Sequence, residues 1–209
     1  DKIAVVHNGN SAEHMNKPLE IRWETPRRHR PMVLFLGRLT VQKGAHHFLE
    51  MAAEVSRQRP DVEFVIAGTG HLQGELIEKS IELGLQDNVI FAGKVDSAEA
   101  KALYSQADCF VMPSVSEPFG LVALEAVAHG TPVIVSRQSG ASEVLPHSFV
   151  VDFWDTHKTA DCVLTILREE ALTHQMRTSS HRDMQRLSWE NQAGAVQSVY
   201  QNVLTSVRS

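Results

Sequence analysis

The sequence is poor in cysteine and aromatic residues, carries no excess of positive charge and contains no long apolar run. Two cysteines among 209 residues do not make a disulfide framework, and we expect buried thiols in a reducing compartment. The net charge of −5 provides no basic surface for nucleic acid. No apolar stretch approaches the roughly 20 residues that span a bilayer, and the N-terminal one is too short for a secretory leader. We therefore expect a soluble cytoplasmic domain without a transmembrane segment.

Groupings of residues that would hold a metal ion or act as a nucleophile are also missing. The 11 histidines are scattered without the spacing of metal ligands. No Asp-x-Asp occurs, which argues against a diphosphate held through a metal ion, and no Ser-His-Asp or Cys-His grouping suggests a nucleophile. We therefore predict no metal site and no cofactor.

What the chain does contain is an alternation of short apolar runs with segments of helical periodicity. This pattern predicts an α/β fold, a Rossmann-like doubly wound parallel sheet of about six strands with helices on both faces and further helices at the C-terminus. The predicted strands are Met32–Leu36, Glu63–Ala67, Val89–Phe91, Cys109–Met112, Val133–Val135 and Phe149–Val151. The predicted helices are Ala45–Arg59, Leu72–Leu83, Ser97–Gln106, Gly120–His129, a short turn near Ser142–Leu145, Lys158–Glu169, Ala171–Arg186 and Trp189–Ser206.

The composition changes near residue 31, where a polar stretch with several arginines ends at a proline. We interpret residues 1–31 as a linker or lead-in segment, residues 32–188 as the Rossmann-like domain and residues 189–209 as a separate C-terminal helix. The first residue is Asp1 rather than Met, which hints that the chain is part of a longer protein.

The segment from Ser114 to Glu125 is the most informative one. Glu117 and Glu125 are separated by seven residues, and Pro-Phe-Gly lies between them. A strand precedes the segment and a helix follows, so Glu117 is predicted on the turn and Glu125 about two turns into the helix. Gly120 lets a ligand approach the backbone, and the free amides of the helix start form an anion site. Carboxylates for hydroxyls and amides for phosphate suit a sugar nucleotide; the alternative is ordinary helix and surface charge.

Two cations flank the loop that follows the first strand. In Gly37-Arg38-Leu-Thr-Val-Gln-Lys43-Gly44 they lie beside the positive end of the next helix. We interpret Arg38 and Lys43 as a clamp on a diphosphate, the alternative being two solvated surface cations. The Gly-Lys order is not that of a Walker A loop.

Glycines follow the second and third strands as well. Gly68 and Gly70 leave room for a ligand or simply make a tight turn, and the next glycine comes one residue too late for a dinucleotide fingerprint. The loop Gly93-Lys94-Val95 offers backbone groups to a base, or again only a turn.

Together these motifs resemble the family-4 retaining glycosyltransferases of GT-B fold, over about residues 3–204. The resemblance implies that only the C-terminal, donor-binding half is present and that the N-terminal half, with most acceptor contacts, is missing. It also implies that the C-terminal helix, residues 189–209, crosses back towards that missing half. The segment Val6-His7-Asn8-Gly9 is similar to the family's path into this half, although Asn10-Ser11 replaces the usual Val-Asp.

The resemblance also implies roles for particular residues. Arg38, Lys43 and Glu117 would be catalytic, the two cations on the donor diphosphate and Glu117 on hydroxyls of the donor sugar. Glu125 would take the ribose hydroxyls. Gly37, Gly68 and Gly70 would also contact the donor. Gly93, Lys94 and Val95 would contact the base. The amides of Phe119, Gly120 and Leu121 would contact the sugar and the phosphate.

The activity that follows from the resemblance is hexosyl transfer from a UDP-, GDP- or ADP-linked sugar to an acceptor hydroxyl, with retention and without metal. The isolated half would bind donor without turnover, and any peripheral membrane association would run through the missing half. A nucleotide-sugar 2-epimerase of the same fold and a non-catalytic sugar-nucleotide-binding module are the alternatives. The sequence identifies neither base, sugar nor acceptor.

Overall fold

The computed structural model of the chain describes residues 3–7 and 30–208. Most of the predicted lead-in segment, including Asn8-Gly9 and Asn10-Ser11, lies outside these residues. The described chain begins again just before the first strand, where the Arg30 guanidinium donates to the carbonyl oxygens of Asp61 and Asp87 at 3.0 and 3.2 Å.

A parallel sheet of six strands forms the centre of the domain, as predicted. Its order is β3-β2-β1-β4-β5-β6, and every neighbouring pair is parallel. The chain thus winds outwards from β1 in one direction and from β4 in the other, and the reversal between these neighbouring strands is where folds of this kind have a crevice. The strands are β1 Met32–Leu36, β2 Glu63–Ala67, β3 Val89–Gly93, β4 Cys109–Met112, β5 Val133–Ser136 and β6 Phe149–Val151.

The predicted helices are all present, with ends that shift by one or two residues. The helix Ser97–Gln106 has both predicted ends, and its start is fixed by a reciprocal capping box between Asp96 and Glu99. A 3₁₀ helix at Val41–Lys43 was not predicted, since three residues are too few to show a period. The α-helices are α1 Ala45–Gln58, α2 Gln73–Glu82, α3 Ser97–Gln106, α4 Leu121–Ala128, α5 Ala141–Val144, α6 Thr156–Arg168, α7 Glu170–Arg186 and α8 Trp189–Arg208.

Each face of the sheet is covered by its own hydrophobic core. Val33 and Phe35 point to the face that packs against α1, α2 and α6, whereas Met32 and Leu34 point to the face covered by α3 and α4. Because both faces are buried, the central strands read as continuous apolar runs rather than as alternating ones. The sequence prediction of helices on both faces is therefore confirmed.

The two cysteines lie in the first of these cores. Cys109 and Cys162 are free and buried, as expected from the sequence. Burial raises the pKa of both thiols. They are protonated packing residues at neutral pH rather than reactive groups.

The last helix leaves an apolar stripe uncovered. Along α8 the side chains of Val196, Tyr200, Val203 and Leu204 are 37%, 66%, 57% and 62% exposed, at the spacing of one helix face. Within residues 3–7 and 30–208, no helix is both long and apolar enough to cross a membrane.

The loops that follow β1 and β2 pack backbone against backbone. The amide of Gly37 donates to Ala67 O and that of Leu39 to Thr69 O, both at 3.0 Å. A Cβ at Gly68, where φ is +130°, would lie 1.9 Å from Gly37 O, and one at Gly70 would lie 2.2 Å from Leu39 O. These two glycines therefore allow the loops to touch each other, and their predicted contact with a ligand stays a prediction.

We expect Gly68→Ala to lower the free energy of unfolding by about 2 kcal/mol or more, because the new methyl group meets backbone that has nowhere to move. The matched control is Gly74→Ala in α2, where an added Cβ meets nothing within 4 Å. That change should leave stability unchanged or raise it by up to about 1 kcal/mol. Urea unfolding measures both, and equal stability of the two variants would contradict this packing.

Candidate active site

The loops after β1 and β4 meet at the crevice where the winding of the sheet reverses. The amide of Val115 donates to Gln42 O at 2.9 Å, which ties the β4 loop to the 3₁₀ helix of the β1 loop. At Gly44 a Cβ would lie 1.9 Å from Pro113 O, so a side chain there would separate the loops. The crevice is thus fixed by main-chain contacts before any charged side chain is considered.

Two of the predicted catalytic residues, Lys43 and Glu117, form an ion pair in this crevice. The Lys43 ammonium donates to Glu117 Oε2, and the two side chains are 23% and 12% exposed. A pair this sheltered is screened by salt less than an exposed pair. The structure therefore brings together a cation and a carboxylate from loops that lie 74 residues apart in the chain.

The Glu117 loop is held in place by the loop after β5. The Glu117 amide donates to Gln138 O at 3.3 Å, and the Gly140 amide donates to Glu117 O at 3.0 Å. A Cβ at Gly140 would lie 2.4 Å from Pro118 O. Sequence reasoning missed this support, because a glycine after a strand usually only makes a turn.

The start of α4 presents backbone amides beside Glu117. Gly120 adopts φ +93°, a left-handed conformation that favours glycine, and a Cβ there would also displace the end of the Met112 side chain, 2.8 Å away. The Phe119 amide points to Glu117 Oε1 at 3.5 Å, a long contact. The first amides of a helix, here from Leu121 onwards, have no acceptor within the helix. The backbone amides that the predicted anion site needs are therefore present, and the binding of an anion to them stays a prediction.

Arg38 and Gly37 lie at the mouth of the same crevice. A Cβ on Gly37 would be 3.9 Å from the Lys43 side chain, which places Gly37 directly beside the ion pair. Arg38 is exposed, and within residues 30–208 its guanidinium has no hydrogen-bond or ion-pair partner. The structure thus unites Lys43 with Glu117, whereas Arg38 points to solvent and its place in a clamp stays a prediction.

The loop predicted to contact a base lies farther along the same edge of the sheet. Its first residue, Gly93, is the last residue of β3, which extends two residues beyond the predicted end at Phe91. This strand is two strand spacings, about 10 Å, from β1. The Gly93 carbonyl accepts from the Gly68 amide at 2.7 Å, Lys94 is exposed and Val95 packs against the second core. This loop and the ion pair therefore occupy one edge without touching.

Glu125 has a partner that sequence reasoning missed. The Tyr104 hydroxyl in α3 donates to Glu125 Oε2 at 3.0 Å, and Tyr104 is only 1% exposed. Burial, and then the nearby Glu125 carboxylate, raise the pKa of the Tyr104 phenol well above its ordinary value. The only available signal was that a buried tyrosine normally finds a partner for its hydroxyl.

A second missed contact comes from the described part of the lead-in segment. The His7 ring stacks on Phe119 with centroids 6.3 Å apart and planes inclined by 24°. Its Nε2 lies 3.7 Å from a Glu143 carboxylate oxygen. The chain that leads into the domain thus touches the loop that carries Glu117.

Metal ligands do not come together in the part of the chain that the structure describes. There, no three side chains of His, Cys, Asp or Glu form a group that could hold a metal ion. Independence from metal is a property of the reaction and stays a prediction.

The fold is that of a doubly wound, Rossmann-like α/β domain, with a cation, a carboxylate and helix-start amides at the switch point of its sheet. Comparison with known proteins gives the family. The family model described as glycosyl transferases group 1 matches residues 18–183, and the chain belongs to this family.

One relative is an uncharacterized glycosyltransferase, MJ1607, of Methanocaldococcus jannaschii. It is 33% identical over 214 residues, which cover 96% of this chain and 54% of the relative. The chain thus spans about half the length of the curated relative it matches.

Three solved structures share the fold. Sucrose-phosphate synthase from Thermosynechococcus elongatus has a TM-score of 0.76 and 27% identity, over 96% of this chain and 52% of its own. The C-terminal domain of the group 1 family protein LpcC from Francisella tularensis scores 0.72 with 24% identity, over 85% and 97%. Anabaena HepE in complex with UDP scores 0.81 with 22% identity, over 95% and 57%. These neighbours place the chain among GT-B folds.

The ion pair predicts an energetic coupling between Lys43 and Glu117. In a double-mutant cycle with Lys43→Met and Glu117→Gln, we expect a coupling of about 1–2 kcal/mol in the free energy of unfolding, since each single change leaves a half-buried charge unpaired. The control is the cycle for the more exposed helical pair Glu54 and Arg57, where we expect less than about 0.5 kcal/mol. Equal couplings in urea unfolding would show that the crevice does not shelter its pair.

Proposed function

We propose that this chain is the donor-binding half of a retaining family-4 glycosyltransferase. The whole protein would transfer a sugar from a nucleoside diphosphate sugar to an acceptor hydroxyl. The observation that carries the proposal is the Lys43–Glu117 ion pair in the β1–β4 crevice, beside the start of α4. An ammonium and free amides suit a diphosphate, whereas a carboxylate suits sugar hydroxyls.

The ion pair leaves both partners able to bind a donor. The Lys43 ammonium has three protons, of which one is directed to Glu117, so two remain for phosphate oxygens. Glu117 accepts this hydrogen bond at Oε2, and its Oε1 has only the long contact from the Phe119 amide. Lys43 can therefore clamp a diphosphate while it holds the carboxylate towards the attached sugar.

The proposed reaction develops negative charge on the departing diphosphate. The bond between the anomeric carbon and the diphosphate oxygen breaks, and a bond from that carbon to the acceptor oxygen forms. The acceptor's proton leaves with the diphosphate. Lys43, Arg38 and the amides at the start of α4 would stabilise the developing charge without a metal ion. Attack on the same face, with retention, is implied by the family resemblance.

The nucleoside of the donor is not determined by the site residues, and uridine, guanosine and adenosine are the candidates. Support for uridine comes from HepE, whose fold matches this one and which is seen in complex with UDP. The loop from Gly93 to Val95 would meet the base, because it lies on the same edge of the sheet at a greater distance from the ion pair.

The other half of the cleft would come from chain beyond these residues. The relative MJ1607 is nearly twice as long as the matched part. The exposed apolar stripe of α8 is a surface that an adjoining N-terminal half would cover, in keeping with a boundary near residue 189. That half would hold the acceptor.

The alternatives differ in the products they form. Membership in the glycosyl transferases group 1 does not favour the 2-epimerase. A non-catalytic module would bind the donor even with both halves present and yet transfer nothing. Product analysis with a labelled donor separates transfer, epimerisation and simple binding.

We expect the chain to bind a nucleoside diphosphate or its sugar equally well in EDTA and in Mg²⁺, in titration calorimetry with UDP, GDP and ADP ligands. Lys43→Ala should weaken binding by about 1.5–3 kcal/mol, the usual range for a charge-assisted hydrogen bond. Lys101→Ala, an exposed cation on α3, is the control and should change nothing. Glu117→Gln should spare the free diphosphate and weaken only the sugar-bearing donor. Strict dependence on Mg²⁺, or unchanged affinity of Lys43→Ala, would refute the clamp.

We also expect the chain alone to transfer no sugar, because transfer needs an acceptor hydroxyl held in line and a cleft closed against water. The assay incubates labelled donor and candidate acceptors with the chain, with and without a separately expressed N-terminal half. Glu117→Gln with both halves is the control for activity that belongs to this site. Efficient transfer by the chain alone would show that the site is complete without a second half.

A further inference from the structure

We propose that Tyr104 is a positioning residue for the donor ribose, which sets the orientation of the Glu125 carboxylate through its buried hydroxyl. The inference rests on the proposed function, in which Glu125 accepts from the ribose hydroxyls. It adds a residue from α3, outside the segment that carries both carboxylates.

The Tyr104 ring is fixed on several sides. It lies edge-on to Phe110 at 5.7 Å with planes inclined by 73°, and stacks with His129 at 5.7 Å and 28°. The Thr131 hydroxyl donates to the Tyr104 carbonyl at 2.5 Å, which ties this turn of α3 to the segment after α4. Because the ring is held in this way, the position of its hydroxyl is fixed, and the hydroxyl lies 3.0 Å from Glu125 Oε2.

The direction of the hydrogen bond is also fixed. Because burial keeps the phenol protonated, the Tyr104 hydroxyl is the donor and Glu125 Oε2 is the acceptor. Glu125 Oε1 keeps its lone pairs, and Oε2 keeps one. The carboxylate can therefore still accept from two neighbouring hydroxyls, but from one orientation only.

Such a bond favours binding because it restricts the conformations of the Glu125 side chain before the ligand arrives. A glutamate side chain has several rotatable bonds, and ordering it on binding lowers the affinity. A hydroxyl from rigid core holds the carboxylate in place, as supporting residues do in preorganised sites. Tyr104 also belongs to the helix that follows the Gly93–Val95 loop, so the predicted base and ribose contacts share one support.

The competing explanation is that Glu125 merely satisfies a buried tyrosine. In that case loss of the hydroxyl would change stability and leave nucleotide selectivity unaffected. Discrimination between ribose and deoxyribose separates the two explanations, because only a positioning role links Tyr104 to the sugar hydroxyls.

The test compares UDP with 2′-deoxy-UDP by titration calorimetry of the wild-type chain and Tyr104→Phe. We expect wild type to prefer UDP and Tyr104→Phe to reduce the ratio of the two dissociation constants about fivefold or more, the scale of one lost hydrogen bond. Affinity for the deoxynucleotide, which keeps only the 3′-hydroxyl, should fall less than affinity for UDP. Tyr200→Phe, the chain's other tyrosine, exposed on α8, is the matched control and should behave as wild type.

A second variant acts on the same bond from the other side. Glu125→Gln should lose the preference for UDP, and Tyr104→Phe combined with Glu125→Gln should lose little more, because the two residues act as one unit. Glu125→Gln leaves Tyr104 intact in the core, so it tests the coupling between Tyr104 and Glu125 even if Tyr104→Phe is less stable. Thermal unfolding followed by circular dichroism identifies a temperature at which every variant is folded, and the titrations are done at that temperature.

Each contrary result identifies what is wrong. An unchanged ratio in Tyr104→Phe, with only a lower melting temperature, would make Tyr104 a packing residue and overturn the inference. If wild type bound both nucleotides equally well, the role of Glu125 and the inference would fall, while nucleotide binding stood. If wild type bound no UDP, GDP or ADP, the proposed function itself would fall.

Discussion

The adjacency of β1 and β4 is the constraint on which the candidate site depends. Those two strands are far apart in the chain, and only the reversal of winding in the parallel sheet brings their carboxyl ends together. Lys43 and Glu117 meet across that junction. Because one residue is the partner of the other, neither charge is left uncompensated in the sheltered crevice before a ligand arrives.

Around the ion pair, the site is built largely from backbone. Gly44 lies against the Pro113 carbonyl and Gly140 against that of Pro118, and in both places a Cβ would force the loops apart. Backbone fixed in this manner positions dipoles without ordering flexible side chains, which suits the recognition of charge that develops during a reaction. Residues that look like plain turn glycines thus contribute to the shape of the site.

The fold could be read from the sequence to a large extent, because buried parallel strands and amphipathic helices leave strong local patterns. The strand Met32–Leu36 and the helix Ser97–Gln106 have their predicted ends. From the sequence, Lys43 and Glu117 could only be placed on loops at the same edge of the sheet. Their ion pair could not be predicted, because loop conformations decide which side chains touch. A buried tyrosine is expected to have a hydrogen-bond partner, but the sequence does not identify Glu125 as that partner, because the two residues lie on different helices whose separation and rotation depend on packing.

The central claim is that the loops after β1 and β4 form one nucleotide-sugar site, and amide chemical shifts test it most directly. On titration of the ¹⁵N-labelled chain with UDP, GDP or ADP sugars, the largest changes should fall on the amides of Gly37, Lys43, Glu117 and Phe119 to Leu121. The amides of α8 should remain unchanged. Shifts concentrated on α7 or α8, with none at the junction of β1 and β4, would contradict the account.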